Sequence, residues 1–161
     1  MPATLSASLP PASTVWPLHI LYADDMPELC ELMRDRLALD GHKVDTAADG
    51  GEALARLTRT PDAYHLIIAD HNMPRIDGLD LVWHIRKLPY AGQIIILTSE
   101  LSPAIHERYR RFGVNLLLTK PIFPPTFCQK LRQLFPAPPP VDPLTRETEP
   151  GPARHHRAVR G

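Results

Sequence analysis

Short, continuous apolar runs separated by helix-like segments constrain the fold of this 161-residue chain more than any other feature. The runs occupy residues 18–23, 64–69, 93–97 and 115–118, and a weaker one occupies residues 43–47. They are apolar at successive rather than alternate positions, which is typical of strands covered on both faces. Each run is followed by a segment with helical spacing of apolar residues. This alternation of strand and helix predicts a parallel sheet with helices on both faces.

The segments between the runs predict five helices, because their apolar residues recur three and four positions apart. The expected helices cover residues 26–39, 51–57, 78–87, the segment between Ser102 and Gly113, and residues 124–135. In the first helix, Leu32 is placed on the buried stripe, and Asp25 is a candidate helix cap. Trp83, in the third helix, lies at core spacing. The charged run at residues 108–111 is interpreted as a solvated helix face.

Proline marks the ends of the folded part. Of the 19 prolines, 11 lie in residues 1–17 or 136–161. The first stretch carries no charged side chain and is predicted to be a flexible arm, while the second begins proline-rich and then becomes polar. A tail of that composition cannot bury enough apolar surface to offset the entropy lost on ordering, so disorder is predicted there. The folded domain is therefore expected at residues 18–135.

Composition argues against several classes of protein. The chain has 18 Lys and Arg residues against 18 Asp and Glu residues, so its bulk charge does not indicate a nucleic-acid-binding protein. No apolar stretch reaches the length of a membrane span, and the N-terminus lacks the basic start and apolar block of a signal peptide. A cytoplasmic location is therefore expected. Cys30 and Cys128 lack metal-type spacing and are predicted to be buried thiols rather than a disulfide.

Side chains able to take part in chemistry follow four of the predicted strands. Asp24 and Asp25 follow the first, Asp70 follows the third, Thr98 the fourth and Lys120 the fifth. Because the carboxyl ends of parallel strands meet at one edge of a sheet, these side chains are expected to lie together. Each has an ordinary interpretation, since Asp24 could be a solvated acid, Thr98 a simple strand residue and Lys120 a rim lysine. Their coincidence favours one pocket with three carboxylates, a hydroxyl and an ammonium.

The chemistry of such a pocket indicates phosphoryl transfer. Three carboxylates repel one another, and that repulsion is tolerated where a cation lies among them. Oxygen ligands without a cysteine or histidine cluster suit Mg2+, which also binds phosphate readily. An aspartate can attack phosphorus and form an acyl phosphate. A phosphoryl group on Asp70 would meet the metal, the Lys120 ammonium and the Thr98 hydroxyl together, so the pattern predicts a Mg2+-dependent phosphoacceptor.

Short motifs at these strand ends also carry a resemblance to a known family. They are Asp24-Asp25, Asp70-His-Asn-Met-Pro, Thr98-Ser99 and Lys120-Pro121, each after its own strand, with Asp77-Gly78 beyond the Met-Pro turn. Over about residues 18–135 the chain resembles the receiver domain of two-component response regulators, in particular the single-domain chemotaxis regulators. The resemblance implies a flavodoxin-like, doubly wound α/β fold of the (βα)5 type, with a five-stranded parallel sheet in the order 2-1-3-4-5.

The resemblance implies how the acids divide their roles. Asp70 would be the phosphoacceptor, taking its phosphoryl group from a phosphohistidine of a sensor histidine kinase or phosphotransfer protein. Asp25, Asp70 and the backbone carbonyl of Asn72 would hold Mg2+ directly, and Asp24 would help through water. Such a protein is not an enzyme acting on separate substrates, because it catalyses only its own phosphorylation and dephosphorylation.

Other matched residues would act on the phosphoryl group. Thr98 and Lys120 would contact its oxygens, and the Lys120–Pro121 peptide bond is expected to be cis. Asn72 and Glu100 lie where the family tunes self-dephosphorylation. This pair is like that of single-domain chemotaxis regulators, so it predicts a short-lived phosphoryl state.

One position departs from the family pattern. Leu117 lies in the fifth strand, where the family usually has a Tyr or Phe that swings inward on activation. Leucine has neither a ring nor a hydroxyl, so the hypothesis is that the switch relies on movement of Thr98 and of the loop at residues 99–103. The resemblance places the output surface, and with it a downstream protein, between about Ser102 and Phe135.

Functions from other classes compete with this interpretation. The leading one is a stand-alone receiver that binds a partner when phosphorylated or relays phosphoryl groups, since no DNA-binding domain is visible. A phosphorylation-independent interaction module is the alternative, and Leu117 is its support. A Mg2+-dependent phosphohydrolase is less favoured, because Asn72 stands where such enzymes present a second acid. A flavin-binding protein would need a phosphate loop after the first strand, and none follows it. His71 is interpreted as a solvated loop residue.

Overall fold

The structure, a computed structural model, describes residues 16–100 and 102–136. In this part of the chain, five strands form one parallel sheet in the order β2-β1-β3-β4-β5. The strands are β1 His19–Ala23, β2 Lys43–Ala47, β3 Leu66–Asp70, β4 Gln93–Thr98 and β5 Leu116–Thr119. Each lies within a residue or two of its predicted run. The predicted flavodoxin-like (βα)5 fold and its strand order are therefore confirmed.

Five helices connect and follow these strands in the described residues. They are α1 Pro27–Ala38, α2 Gly50–Arg59, α3 Gly78–Ile85, α4 Pro103–Arg111 and α5 Pro124–Leu134, with a 3-10 turn at Pro61–Ala63. Proline begins α1, α4 and α5, where its missing N–H costs no hydrogen bond. The carboxylates of Asp49 and Asp77 cap α2 and α3 by accepting first-turn N–H groups. The prediction that Asp25 caps α1 is wrong, because Met26 occupies the cap position.

Both faces of the sheet are covered by helices. Successive strand residues point to opposite faces, so Ile68 lies in the core under α1 and α5, while Ile67 lies in the core under α2, α3 and α4. This two-sided burial explains why the strands are continuously apolar. Cys30 and Cys128 are free, buried thiols in the first of these cores, as predicted. Burial raises the pKa of Cys30 to about 11, which makes its thiol unreactive near neutral pH.

Two predictions about helix faces are wrong, and a third holds only in part. Leu32 of α1 and Trp83 of α3 are 52% and 43% exposed, although their spacing predicted core positions. The Lys87 ammonium lies 3.1 Å from the centre of the Trp83 ring, which gives this exposed ring a cationic partner. The arginines of the charged run at residues 108–111 are exposed, as predicted, but the run also contains Tyr109, which is only 1% exposed. Successive helical residues are rotated by about 100°, so one member of a charged run can point inward.

The described residues include the last two residues of the predicted arm and the first residue of the predicted tail. Trp16, near the end of the predicted arm, packs edge-on against His42 with ring centres 4.3 Å apart. The rest of the arm, residues 1–15, and the tail from residue 137 lie outside the described residues, so the predictions for them stay predictions. Among the described helices, none combines the length and the apolar character needed to cross a membrane.

Candidate functional site

The strand register brings the predicted site residues to one edge of the sheet. β1 and β3 pair so that Asp24 and Asp70, each following a paired alanine, lie level with one another. β4 and β5 pair through Thr98 and Thr119, which places Lys120 one residue beyond that pair. The connections leave β1 and β3 in opposite directions along the sheet, so this edge includes the point where the strand order reverses. Doubly wound sheets bind their ligands at such a point.

Asp24, Asp25 and Asp70 form an acidic cluster at this edge. One carboxylate oxygen of each lies within 4.8 Å of the other two. Asp24 and Asp70 are buried, whereas Asp25 is exposed and leaves the cluster open to water. The donors are all carboxylate oxygens, which fits Mg2+, since this ion binds through a few carboxylates and keeps several of its waters. The cluster could therefore hold a divalent cation.

Lys120 supplies positive charge to two of these acids. Its Nζ lies 2.9 Å from Asp70 Oδ1 and 3.2 Å from Asp24 Oδ2. Burial acts to lower the pKa of Lys120, but the hydrogen bond to Asp70 and the charges of both acids outweigh it, so the pKa is raised. Lys120 is therefore protonated and positively charged at neutral pH.

The site is nevertheless short of positive charge. Burial raises the pKa of Asp70, and the charges of Asp24 and Asp25 raise it further, while the Lys120 ammonium acts in the opposite direction. The net direction is upward. Among the described residues at this edge, three carboxylates face one ammonium. A divalent cation would therefore favour the ionised form of Asp70.

Asp24 and Asp25 are held differently. Asp24 Oδ1 accepts a hydrogen bond from the Met26 N–H at 2.9 Å, and its Oδ2 accepts from Lys120, so both oxygens have protein partners. Within the described residues, no hydrogen bond or ion pair involves the Asp25 carboxylate. Asp25 is therefore the acid with the most freedom to bind a ligand, while Asp24 is a fixed part of the pocket wall.

Thr98 is fully buried at the end of β4. Its Oγ1 accepts a hydrogen bond from the Glu100 N–H at 2.8 Å, which leaves the hydroxyl hydrogen free to donate to another acceptor. The Glu100 carboxylate accepts from the Ser102 N–H at 2.8 Å and so lies toward the start of α4. Asn72 is exposed in the loop after β3. The roles assigned to Asn72 and Glu100 stay predictions.

The fifth strand carries two further expected features. The Lys120–Pro121 peptide bond is cis, as predicted. Leu117 pairs with Ile96 of β4 and is partly buried against the core under α2, α3 and α4. It therefore fills space beneath the helices rather than presenting an aromatic ring to solvent.

One residue behind Asp70, Tyr109, was missed by sequence reasoning. Tyr109 of α4 hydrogen-bonds to His71 Nδ1 at 2.5 Å, so His71 is a loop residue, as predicted, but it is only partly exposed and has a protein partner. Gly78 lies so close that an added Cβ would be 2.7 Å from both the Asp70 carbonyl oxygen and the Tyr109 hydroxyl. The signal for Tyr109 was present, since apolar residues lie four positions before it and three after it, on one helix face.

Comparison with known proteins shows the family to which this chain belongs. A family model for the response regulator receiver domain matches residues 20–132. The chain belongs to the response regulator receiver domain family. This receiver domain is 33% identical to the probable chemotaxis protein CheY of Rhizobium etli, over 107 residues that make up 65% of the chain and 81% of the relative. The family is one of signalling phosphoacceptors rather than of enzymes acting on separate substrates.

Solved structures agree with the fold of this receiver domain. The chemotaxis protein CheY4 of Vibrio cholerae superposes with a TM-score of 0.66 at 32% identity, covering 72% of this chain and 97% of that one. Other relatives are much longer. The receiver domain is 34% identical to the sensor histidine kinase AruS of Pseudomonas aeruginosa over 74% of its own length, yet it spans only 12% of that kinase. It likewise spans only 9% of the sensor protein EvgS and 23% of the regulatory protein GlrR, both of Escherichia coli.

Proposed function

We propose that this protein is a stand-alone receiver that accepts a phosphoryl group on Asp70 from the phosphohistidine of a sensor histidine kinase or phosphotransfer protein. The observation that carries the proposal is the position of the Asp70 carboxylate, which lies 2.9 Å from the Lys120 ammonium and within 4.8 Å of an oxygen of each of the other two acids of the cluster. The stand-alone part is supported by the chemotaxis relative, most of whose length this chain covers.

The transfer step uses Asp70 as a nucleophile. A lone pair of one carboxylate oxygen attacks phosphorus, and the P–N bond of the donor breaks. Its electron pair goes to the imidazole nitrogen, which takes up a proton and leaves as neutral imidazole. Asp70 then carries an acyl phosphate. Lys120 can donate N–H groups to the phosphoryl oxygens, and the free hydroxyl hydrogen of Thr98 can do the same.

A divalent cation completes the charge balance of the proposed site. Asp25 and Asp70, with the Asn72 carbonyl, would hold Mg2+, and Asp24 would contribute through water. Bound there, Mg2+ would supply positive charge beside the phosphoryl oxygens. Before transfer, Asp25 stays accessible to ligands at the open side of the pocket, while Lys120 keeps Asp70 in place.

The phosphoryl group would be lost by hydrolysis. A water oxygen attacks phosphorus, the P–O bond to Asp70 breaks, and the carboxylate returns while inorganic phosphate leaves. Asn72 and Glu100 are exposed on the loops that flank the pocket, where they could influence the approach of water. In this proposal, Asn72 and Glu100 set how long the phosphoryl group stays on Asp70.

The downstream partner would dock on α4, β5 and α5, between about Ser102 and Phe135. This segment exposes apolar and arginine side chains, both common in protein interfaces: Phe123, Leu134, Arg108, Arg110 and Arg111. A cytoplasmic location is part of the proposal, because a histidine kinase draws its phosphoryl group from ATP.

Intact mass after incubation with acetyl phosphate and Mg2+ tests the function. We expect one added phosphoryl group on the wild type and none on Asp70→Asn or in the presence of EDTA. Asp62→Asn, which removes an exposed carboxylate from the 3-10 turn, should label as the wild type does. An unlabelled wild type under conditions that label a known receiver would contradict the proposal, as would persistent labelling of Asp70→Asn.

A phosphorylation-independent interaction module is the second candidate, favoured by the aliphatic side chain of Leu117 at the expected aromatic position. A pull-down with the wild type and with Asp70→Asn, each with and without the phosphoryl donor, separates the two functions. Partner capture that needs both the donor and Asp70 supports the receiver. Equal capture in all four arms supports the module.

A further inference from the structure

A buried tyrosine of α4 contacts the residue that follows the phosphoacceptor. Tyr109 is 1% exposed, and its ring packs edge-on against His71 with ring centres 5.6 Å apart. A hydrogen bond of 2.5 Å joins the Tyr109 hydroxyl to His71 Nδ1. His71 is covalently next to Asp70. One pair of side chains therefore links a helix of the proposed output surface to the backbone of the phosphoacceptor.

The backbone around this contact is tightly held. The His71 N–H donates to a β4 carbonyl, and its own carbonyl accepts from the Gly78 N–H, both at 2.8 Å. The Tyr109 hydroxyl lies against Gly78, where even a methyl group would not fit. Burial raises the pKa of Tyr109, and the charges of Asp77 and Asp70 raise it further, so the hydroxyl stays neutral. The hydroxyl is therefore already within the electrostatic influence of Asp70.

A second contact links the same face of α4 to the other side of the pocket. His106 Nε2 hydrogen-bonds to the Glu100 carbonyl oxygen at 2.9 Å, and the Glu100 N–H donates to Thr98 Oγ1. His106 and Tyr109 are three residues apart, so they lie on neighbouring positions of one helix face. Helix α4 is thus connected to Thr98 through His106 and Glu100, and to Asp70 through Tyr109 and His71.

We propose that the Tyr109–His71 hydrogen bond is a positioning contact that transmits phosphorylation of Asp70 to helix α4, in place of the aromatic residue missing at Leu117. The inference rests on the proposed function at Asp70. A phosphoryl group adds charge and volume beside His71, and movement of the His71 ring carries Tyr109 and its helix with it. Because coupling between sites is reciprocal, a partner bound to α4 alters the phosphoryl equilibrium in return.

Tyr109→Phe tests the contact because it removes the hydroxyl and keeps the ring. Tyr90→Phe is the matched control, since the Tyr90 hydroxyl is also buried but donates to the Gln93 carbonyl at the opposite end of β4. Amide hydrogen exchange of Pro103–Arg111 is measured before and after phosphorylation with acetyl phosphate and Mg2+, with intact mass as the check on labelling. We expect phosphorylation to change α4 exchange in the wild type and in Tyr90→Phe. In Tyr109→Phe, the change should shrink by about fivefold, the factor that one net hydrogen bond contributes to an equilibrium.

Substitutions of the partner residue add a rescue test. His71→Asn keeps a hydrogen-bonding atom near the position of Nδ1 and should retain the α4 response, whereas His71→Leu should lose it. A wild type that is labelled but shows no α4 response overturns the inference alone, as does a Tyr109→Phe response equal to that of the wild type. An unlabelled wild type overturns the proposed function, and this inference with it.

Discussion

Replacing Lys120 by methionine tests whether one ammonium holds two buried carboxylates together. The substitution keeps a long unbranched side chain and removes a charge that lies 2.9 Å from Asp70 and 3.2 Å from Asp24. The side chains of these acids are only 7% and 0% exposed, while that of the lysine is 22% exposed. Water can therefore replace the ammonium only in part.

The expected loss follows from what the two acids would leave unpaired. Each hydrogen bond to a charged group is worth about 1.5–3 kcal/mol, and removing one partner of a buried ion pair costs about 3–5 kcal/mol. Because Lys120 is partly open to water, we expect the lower end of that range. The free energy of unfolding should fall by about 3 kcal/mol in EDTA. Saturating Mg2+ should stabilise Lys120→Met more than the wild type, since a bound cation would offset the missing charge.

Urea unfolding in EDTA and in Mg2+ measures both effects. Lys130→Met removes an exposed lysine from α5 and should change the free energy of unfolding by less than about 0.5 kcal/mol. Adding Asp70→Asn to Lys120→Met should recover at least about 1 kcal/mol, because one of the two unpaired charges is gone. The reasoning is refuted if Lys120→Met unfolds as Lys130→Met does, or if the double variant is less stable than Lys120→Met alone.

Two further predictions concern packing and pH. Gly78→Ala should lower the free energy of unfolding by about 1–3 kcal/mol, because its Cβ would lie 2.7 Å from the Asp70 carbonyl oxygen and the Tyr109 hydroxyl. A urea titration showing a loss below about 0.5 kcal/mol would mean that these neighbours move aside. Burial acts to raise the pKa of Asp45, but hydrogen bonds with a histidine and a tyrosine outweigh it, so the pKa is lowered. The ionised Asp45 therefore stabilises the fold above its ordinary pKa of 3.8, and this contribution is lost as pH falls through the lowered pKa. Asp45→Asn should therefore flatten the acid side of the stability profile, while Asp62→Asn should not, and parallel profiles for the two variants would argue against this assignment.

The site could be predicted largely because it depends on topology. Asp24 and Asp70 come directly after β1 and at the end of β3, and any parallel pairing of those strands brings the two residues to one edge. The same argument covers Thr98 and Lys120, at the ends of β4 and β5, and the motif resemblance added the strand order. The expectation of a bound cation follows from residue types, since clustered carboxylates repel one another however the surrounding side chains pack.

Differences among the acids could not be predicted in this way. Asp24 is buried and engaged by Lys120, whereas Asp25, its neighbour in sequence, is exposed. Glu100 lies toward the start of α4 because it accepts a hydrogen bond from a backbone N–H there. Each of these outcomes depends on which group from a distant segment lies within hydrogen-bonding distance, and sequence spacing carries no such information.

The apolar runs and strand-end motifs by themselves determined the α/β class, the parallel sheet and the edge at which the acids meet. Only the tertiary structure decided that Tyr109 is buried and Trp83 is exposed. Helical spacing defines which residues share a face, but the neighbouring helices and strands decide which face is covered. The contact between Tyr109 and His71 could not be predicted from the sequence for the same reason, because two residues 38 positions apart meet only when α4 packs beside the end of β3.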